Sequence, residues 1–248
     1  MHTRNIKLVL EYDGTDFSGW QVQPDARTVQ GVLEASLSDL AGEPISIVGA
    51  GRTDAGVHAL GQVANARTAL GLPADEIRAA VNARLPDDVL VRTAEDVPLS
   101  FHARYDAILR TYFYLIGLAE SPVWRRHRWH VRQALDVERM RAAFEPLRGE
   151  HDFSSFTLTG SEPDHHRCRV SGISLECDPR FGGVLAFRIE ADRFLRGMVR
   201  SIVGTLVEVG RGKVAPAEMA AILEAEDRGR AGPTAPPWGL YLLSVAYR

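Results

Sequence analysis

The densest chemistry in this 248-residue sequence lies in Gly49-Ala50-Gly51-Arg52-Thr53-Asp54-Ala55-Gly56-Val57-His58, where the apolar run Ile45 to Val48 gives way to glycines alternating with polar side chains. Glycines at 49, 51 and 56 permit backbone angles and close approaches that other residues forbid, so Arg52, Thr53 and Asp54 are expected on a tight loop at a strand end. An aspartate is ionised at neutral pH unless burial opposes it, and a neighbouring arginine favours the charged form. Asp54 is therefore a carboxylate available as nucleophile or base. The same residues also suit an Asx turn with a surface ion pair, and local features alone do not choose between the two.

Two further groupings carry possible chemistry. Leu8-Val9-Leu10-Glu11-Tyr12-Asp13-Gly14-Thr15 is similar to the strand and loop of aspartyl phosphatases, which implies magnesium and phosphoryl transfer. Glu11 occupies the nucleophile position there, however, and no matching lysine motif or Rossmann pattern follows. His165-His166-Arg167-Cys168 offers metal-ligating side chains, but a structural site needs four ligands at regular spacing, so this stretch reads as a solvated loop.

The elements that must position these residues follow from periodicity. Ile6 to Tyr12 reads as a strand running into the Asp13-Gly14 turn. Thr28 is a helix N-cap, and Val29, Val32, Leu33, Leu37 and Leu40 recur at helical spacing before Gly42. Ile45 to Val48 returns to strand, Val57 to Ala66 is a second strand, Asp75 to Arg84 a helix and Val89 to Thr93 a strand. That βαββαβ order is the ferredoxin-like unit also used by RNA-recognition domains. From Phe101 the pattern resumes, with strands at 111–116, 172–177, 184–191 and 241–247 and helices at 136–147, 194–209 and 216–224. The division is expected near Val97-Pro98, giving halves 1–97 and 98–248. Residues 117–132 and 157–170 are the longest irregular stretches.

A hydrophobic content of 45% over this length supports one large domain or two of about half the size. No apolar run approaches the ~20 residues of a membrane helix, and Ile6 to Leu10 is too short for a signal peptide, so a cytoplasmic protein without membrane attachment is expected. Cys168 and Cys177 lack a CxxC arrangement and read as ordinary thiols in a reducing compartment. The net charge of −3 argues against indiscriminate nucleic-acid binding. Residues 101–132 nevertheless hold six arginines against Asp106 and Glu120, and 218–227 holds four acids and no base. The clustering suggests a phosphate-binding face built from Arg104, Arg125, Arg126, Arg128 and Arg169.

GRTDAGVHA resembles the signature of the tRNA pseudouridine synthase A family, TruA. EYDGTDFSGWQ (Glu11 to Gln21), FHAR (Phe101 to Arg104), DFSSF (Asp152 to Phe156), FLRGMVRSIVGTLVEVG (Phe194 to Gly210) and GLYL (Gly239 to Leu242) match family segments in the family order. The resemblance implies an α+β fold of two ferredoxin-like (RRM-like) βαββαβ halves, packed side by side with a central, mainly antiparallel sheet and a cleft between them. It implies an isomerase that converts uridine to pseudouridine on the 3′ side of the tRNA anticodon stem-loop, with no cofactor and no metal, acting as a homodimer in which one tRNA spans both subunits. Asp54 stands at the nucleophile position, Tyr112 at that of the active-site tyrosine stacked on uracil, and Arg200 at that of the arginine approaching the aspartate. Arg52 is the family candidate for pairing with Asp54 without RNA and entering the base stack when the target leaves. Phe101, His102, Ala103, Arg104 and Tyr105 match the segment contacting RNA near the extruded base; Leu240 and Leu242 help wall the cleft. Thr111 replaces an arginine and Ser201 an asparagine, so one phosphate contact and one hydrogen bond are expected to differ. From the residues alone, a core role for Tyr112 and a fixed ion pair for Arg52 remain open, as does a non-catalytic RNA-binding protein on tandem RRM-like units.

Overall fold

The computed structural model describes residues 3–158, 166–178 and 183–248. In chain order the elements are β1 (Arg4–Tyr12), α1 (Val29–Ala41), β2 (Ile47–Gly49), β3 (His58–Thr68), α2 (Ala74–Asn82), β4 (Val89–Val97), β5 (Ala107–Gly117), β6 (Trp129–His130), α3 (Val137–Phe144), β7 (Gly149–Asp152), β8 (Arg167–Asp178), β9 (Val184–Ala191), α4 (Met198–Gly210), α5 (Glu218–Glu224) and β10 (Leu240–Tyr247). This is an α+β protein whose strand pairs are mostly antiparallel. The chain divides into two compact units, 1–108 with 241–248, and 109–240. No helix among the described residues is long and apolar enough to cross a membrane.

In the first unit β1 lies between β3 and β4, antiparallel to both, with Leu8 opposite Ala64 on one side and Ala94 on the other. Its alternate residues Ile6, Leu8, Leu10 and Tyr12 are buried, the period of two that a one-sided strand requires. The far edge of β3 is shared. β2 pairs antiparallel with Ala64 to Ala66, and β10 pairs parallel with His58 and Ala59. The Thr28 hydroxyl accepts the Gly31 N–H at 3.2 Å, capping α1, which buries Val29, Leu33 and Leu37. The Asn82 side chain, at the end of α2, exchanges two hydrogen bonds with the Val91 backbone, locking α2 onto β4.

The second unit orders its strands β5-β9-β8-β7, all antiparallel, with β6 parallel to the end of β5. The sequence reading of 136–147 as one helix resolves into α3 and a 3-10 turn at Glu145–Leu147, because Pro146 cannot continue the α ladder. The helix expected from Phe194 starts only at Met198, since the Met198 N–H closes a turn on the Leu195 carbonyl. Two strands, β6 and β7, lie where no strand is expected. Most of α4 is buried, the signature of a helix apolar on nearly every side. Segment 231–235 crosses it at Gly204, where a Cβ would stand 1.6 Å from the Pro233 carbonyl oxygen; only glycine fits. Both cysteines are free thiols. Burial pushes the Cys168 thiol up to about 12, which keeps it protonated and inert at neutral pH. Cys168 lies on β8, so it belongs to a strand instead of the expected solvated loop; His165 lies outside the described residues.

Candidate active site

Asp54 sits on the loop between β2 and β3, and four contacts from the end of β1 and the segment after it brace that loop and the start of β3. The Trp20 N–H donates to the Thr53 carbonyl at 3.0 Å and the Gly56 N–H to the Phe17 carbonyl at 3.3 Å. Tyr12 Oη lies 2.8 Å from Thr53 Oγ1, and the Gly14 N–H donates to His58 Nδ1 at 3.1 Å. Thr53 is thus held through backbone and side chain, directly before the carboxylate. The Val57 N–H then returns to the Asp54 carbonyl at 3.1 Å, closing a tight turn in which Gly56 takes φ 76°. That angle at the third position is the type II signature, so Asp54 opens a turn with a single permitted shape. On the β2 side the Ala50 N–H donates to the Val63 carbonyl at 2.7 Å, and Gln62 Nε2 to the Gly51 carbonyl at 2.8 Å. Asp54 itself is half-buried and Arg52 exposed. Among the described residues no ion pair joins Arg52 to Asp54.

Burial pushes the Tyr12 phenol up to about 12, partly offset by hydrogen bonds from Thr53 and Gln62, so it stays neutral beside the Asp54 loop. His58 follows the loop directly. It is 2% exposed, its Nδ1 lies 3.0 Å from Asp13 Oδ1, and its ring stacks on Tyr241 at 4.6 Å. Next along β10, Leu242 is fully buried opposite Ala59.

The same unit holds residues 101–105. Ala103 is buried in one apolar cluster with Ala50 and Val63, against Phe101 and Tyr247, so this loop and the start of the Asp54 loop share a core. His102 shapes the turn: its Nδ1 accepts the N–H groups of Arg104 and Tyr105, each at 3.2 Å, which puts any single ring proton on Nε2. Tyr105 is 74% exposed, with its ring 4.3 Å from that of His102 and the Arg104 guanidinium 5.6 Å from its centroid. An exposed ring beside a guanidinium is a stacking surface for an unpaired base.

Tyr112, Arg200 and Arg169 belong to the second unit. Tyr112 lies on β5 opposite Ile189 of β9, 8% exposed, with its ring edge-on to Phe194 at 5.0 Å. Its neighbour Tyr114 faces the core and donates to the Pro236 carbonyl at 2.8 Å; burial pushes its phenol well above the usual range. Thr111 Oγ1 reaches Glu190 at 3.4 Å. Arg200 is half-buried on α4 and donates its Nε to the Ala235 carbonyl at 2.8 Å, while the Ala235 N–H returns to the Arg200 carbonyl at 3.0 Å. Ser201 Oγ meets Thr234 Oγ1 at 3.5 Å, the local hydrogen bond at the position of the family's asparagine. Arg169 is exposed on β8 and pairs with Glu150 at 2.8 Å, beside Arg167 on the same carboxylate; the two guanidinium groups hold Glu150 below the usual carboxylate range. Arg128 departs from the expected basic face. It is 5% exposed, its stem lies against Gly117 and it donates to the Ala119 carbonyl at 3.2 Å.

Sequence reasoning missed the residues that hold the loops: Tyr12, Thr53, His58, Gln62 and Asn65. The available signal was polarity out of place. Gln62 and Asn65 interrupt the apolar run of β3, and a polar residue buried in a strand needs a partner.

A family model described as tRNA pseudouridine synthase matches residues 8–106 and 143–248. The chain is 46% identical to tRNA pseudouridine synthase A of Acetivibrio thermocellus and 48% identical to that of Brevibacillus brevis, each match covering 98% of this chain and all of the relative. With Glu11–Gln21 clasping the Asp54 loop and likeness running the length of both chains, this protein belongs to the tRNA pseudouridine synthase A (TruA) family.

Proposed function

We propose that this chain isomerises uridine to pseudouridine on the 3′ side of the tRNA anticodon stem-loop, with Asp54 as the nucleophile. The carrying observation is the bracing of the Asp54 turn by the Glu11–Gln21 segment, which fixes an ionisable carboxylate on a loop that a purely RNA-binding protein has no need to hold so firmly. In the reaction the N1–C1′ bond breaks, uracil rotates, a C5–C1′ bond forms, and the C5 proton is lost as N1 gains one. Asp54 attacks C1′, attacks uracil C6, or assists elimination at the ribose; covalent catalysis by a carboxylate suits the first two. Tyr112 stacks on uracil and assists the C5 proton transfer, and Arg200 supports the carboxylate.

A uridine within a stem is out of reach of any side chain, so it is extruded at a cost of a few kcal/mol of unstacking. Arg52 fills the gap, while Phe101 to Tyr105 and Arg169 contact the RNA. The first unit supports a ferredoxin-like reading of its fold: β1 to β4 occur in the order βαββαβ, and β4, β1, β3 and β2 are adjacent in that sequence. The protein acts as a homodimer with one tRNA across both subunits, which light scattering with and without tRNA tests directly. Asp54→Asn is expected to fold and bind tRNA yet lose tritium release from C5-labelled uridine by several orders of magnitude, each tenfold being ~1.4 kcal/mol of barrier. Turnover within tenfold of the parent would sink the assignment. No release by the parent protein on any tRNA, with binding intact, would favour the non-catalytic alternative.

A further inference from the structure

We propose that Asn65, with Asn5, is a positioning residue that sets the 98–105 loop for RNA capture, hanging it from the strand that also carries the Asp54 loop. Both amides are almost wholly buried, at 6% and 1% exposure, and together they make one chain of hydrogen bonds. Asn65 Oδ1 accepts the Ala103 N–H at 2.9 Å, and Asn65 Nδ2 donates to Asn5 Oδ1 at 3.0 Å. Asn5 Nδ2 in turn donates to the carbonyls of Pro98, at 3.1 Å, and Phe101, at 2.9 Å. The loop is thereby fastened at three backbone points by side chains of β1 and β3. A fourth comes from Tyr247, whose hydroxyl donates to the Ala103 carbonyl at 2.7 Å.

The placement gives this tether a function beyond filling a core. Asn65 lies two residues along β3 from Val63, whose carbonyl holds Ala50, so the anchors of the two loops stand on one strand about 7 Å apart. Ala103 is fully buried in a cluster with Ala50, Val63 and Phe101, so losing the Asn65 Oδ1 acceptor leaves its N–H buried without that bond. A loop released at that point must be ordered anew each time RNA binds, and that ordering cost falls on affinity, not on the chemical step. The inference rests on the reading that residues 101–105 contact RNA.

The test separates capture from chemistry. Single-turnover conversion is measured across a range of anticodon stem-loop RNA concentrations for Asn65→Ala, Asn5→Ala, the double variant and, as a check on the underlying reading, Tyr105→Ala. For Asn65→Ala the half-saturating RNA concentration is expected to rise about tenfold, the scale of one buried hydrogen bond lost, with the plateau rate within about threefold of the parent. The double variant should be no worse than the stronger single, because both act through one loop. A folded Asn65→Ala with unchanged half-saturation overturns the proposal, as does a loss confined to the plateau rate or additive losses in the double. If Asn65→Ala does not fold, Asn5→Ser decides: it leaves Ala103 fastened but loosens Pro98 and Phe101, so half-saturation must still rise. If Tyr105→Ala and Asn65→Ala both leave half-saturation unchanged, the RNA-contact reading has failed; if only Tyr105→Ala raises it, the tether alone has failed.

Discussion

Arg52 and Asp54 stand two positions apart, yet the structure leaves the guanidinium in solvent and half-buries the carboxylate. Local spacing left open a fixed pair and a guanidinium that swings away; among the described residues no ion pair joins the two, while the bonds of Thr53 and the Gly56 turn brace the loop backbone. The proposed function gives Arg52 to the RNA. An arginine that fills a vacated stack matters less where the target base is already unpaired, because unstacking costs less there. Arg52→Ala is therefore expected to slow conversion of a paired target more than of the same RNA with the target mismatched, measured in single turnover. Equal loss on both would return Arg52 to the role of holding Asp54. At this scale the sequence made the tight glycine-flanked turn at Asp54 legible, since the Val57 N–H to Asp54 carbonyl bond and Gly56 are local, but not the distant braces from Tyr12 and Trp20. Asn65 was illegible for the same reason: its partners Asn5 and Ala103 lie 60 and 38 residues away.

The elements read well where periodicity is strong and poorly where it is absent. α1 starts at its expected cap and β9 keeps its expected bounds, because each carries a full repeat of buried positions. β6 and β7 span two and four residues, too short to show a period, and they exist only through pairing with β5 and β8. α4 gives the clearest test of an element in its context. Segment 231–235 can cross at Gly204 only because no Cβ intervenes, and that segment carries the Ala235 carbonyl to which Arg200 donates. Gly204→Ala forces the crossing outward and should cost about 1–3 kcal/mol in denaturant unfolding, as overpacking does. Activity should fall further than stability accounts for, since Arg200 loses its anchor. A variant with parent stability and parent turnover would show that the crossing does not position Arg200.

For the whole molecule, charge is arranged more selectively than the arginine count suggested. Arg104 is exposed on the first unit, whereas Arg128 is spent inside the second, and Arg169 must leave Glu150 before it can meet a phosphate. The logarithm of tRNA affinity should fall linearly with that of salt, and Arg104→Ala should reduce the slope by about one contact. Arg169→Ala should reduce it by less, and Arg128→Met not at all. A salt-independent affinity would mean that phosphates do not drive binding. The likeness of composition between buried and exposed arginines is the reason sequence could not separate them.

The return of β10 to the first unit sets a timetable for the ribosome. β10 supplies the partner for His58 and Ala59, and Tyr247 holds the Ala103 carbonyl, yet about 130 residues of the second unit are made between Ile108 and Tyr241. At ~5–20 residues per second that is a wait of roughly 7–26 s. Throughout it, the nascent first unit presents the start of β3 as an unpaired edge, open to other chains. The Asp54 loop has its braces from Tyr12 to Trp20 early, but the strand that follows it gains its β10 partner last, and a polypeptide cut off before β10 leaves the start of β3 unpaired however long it is given to fold.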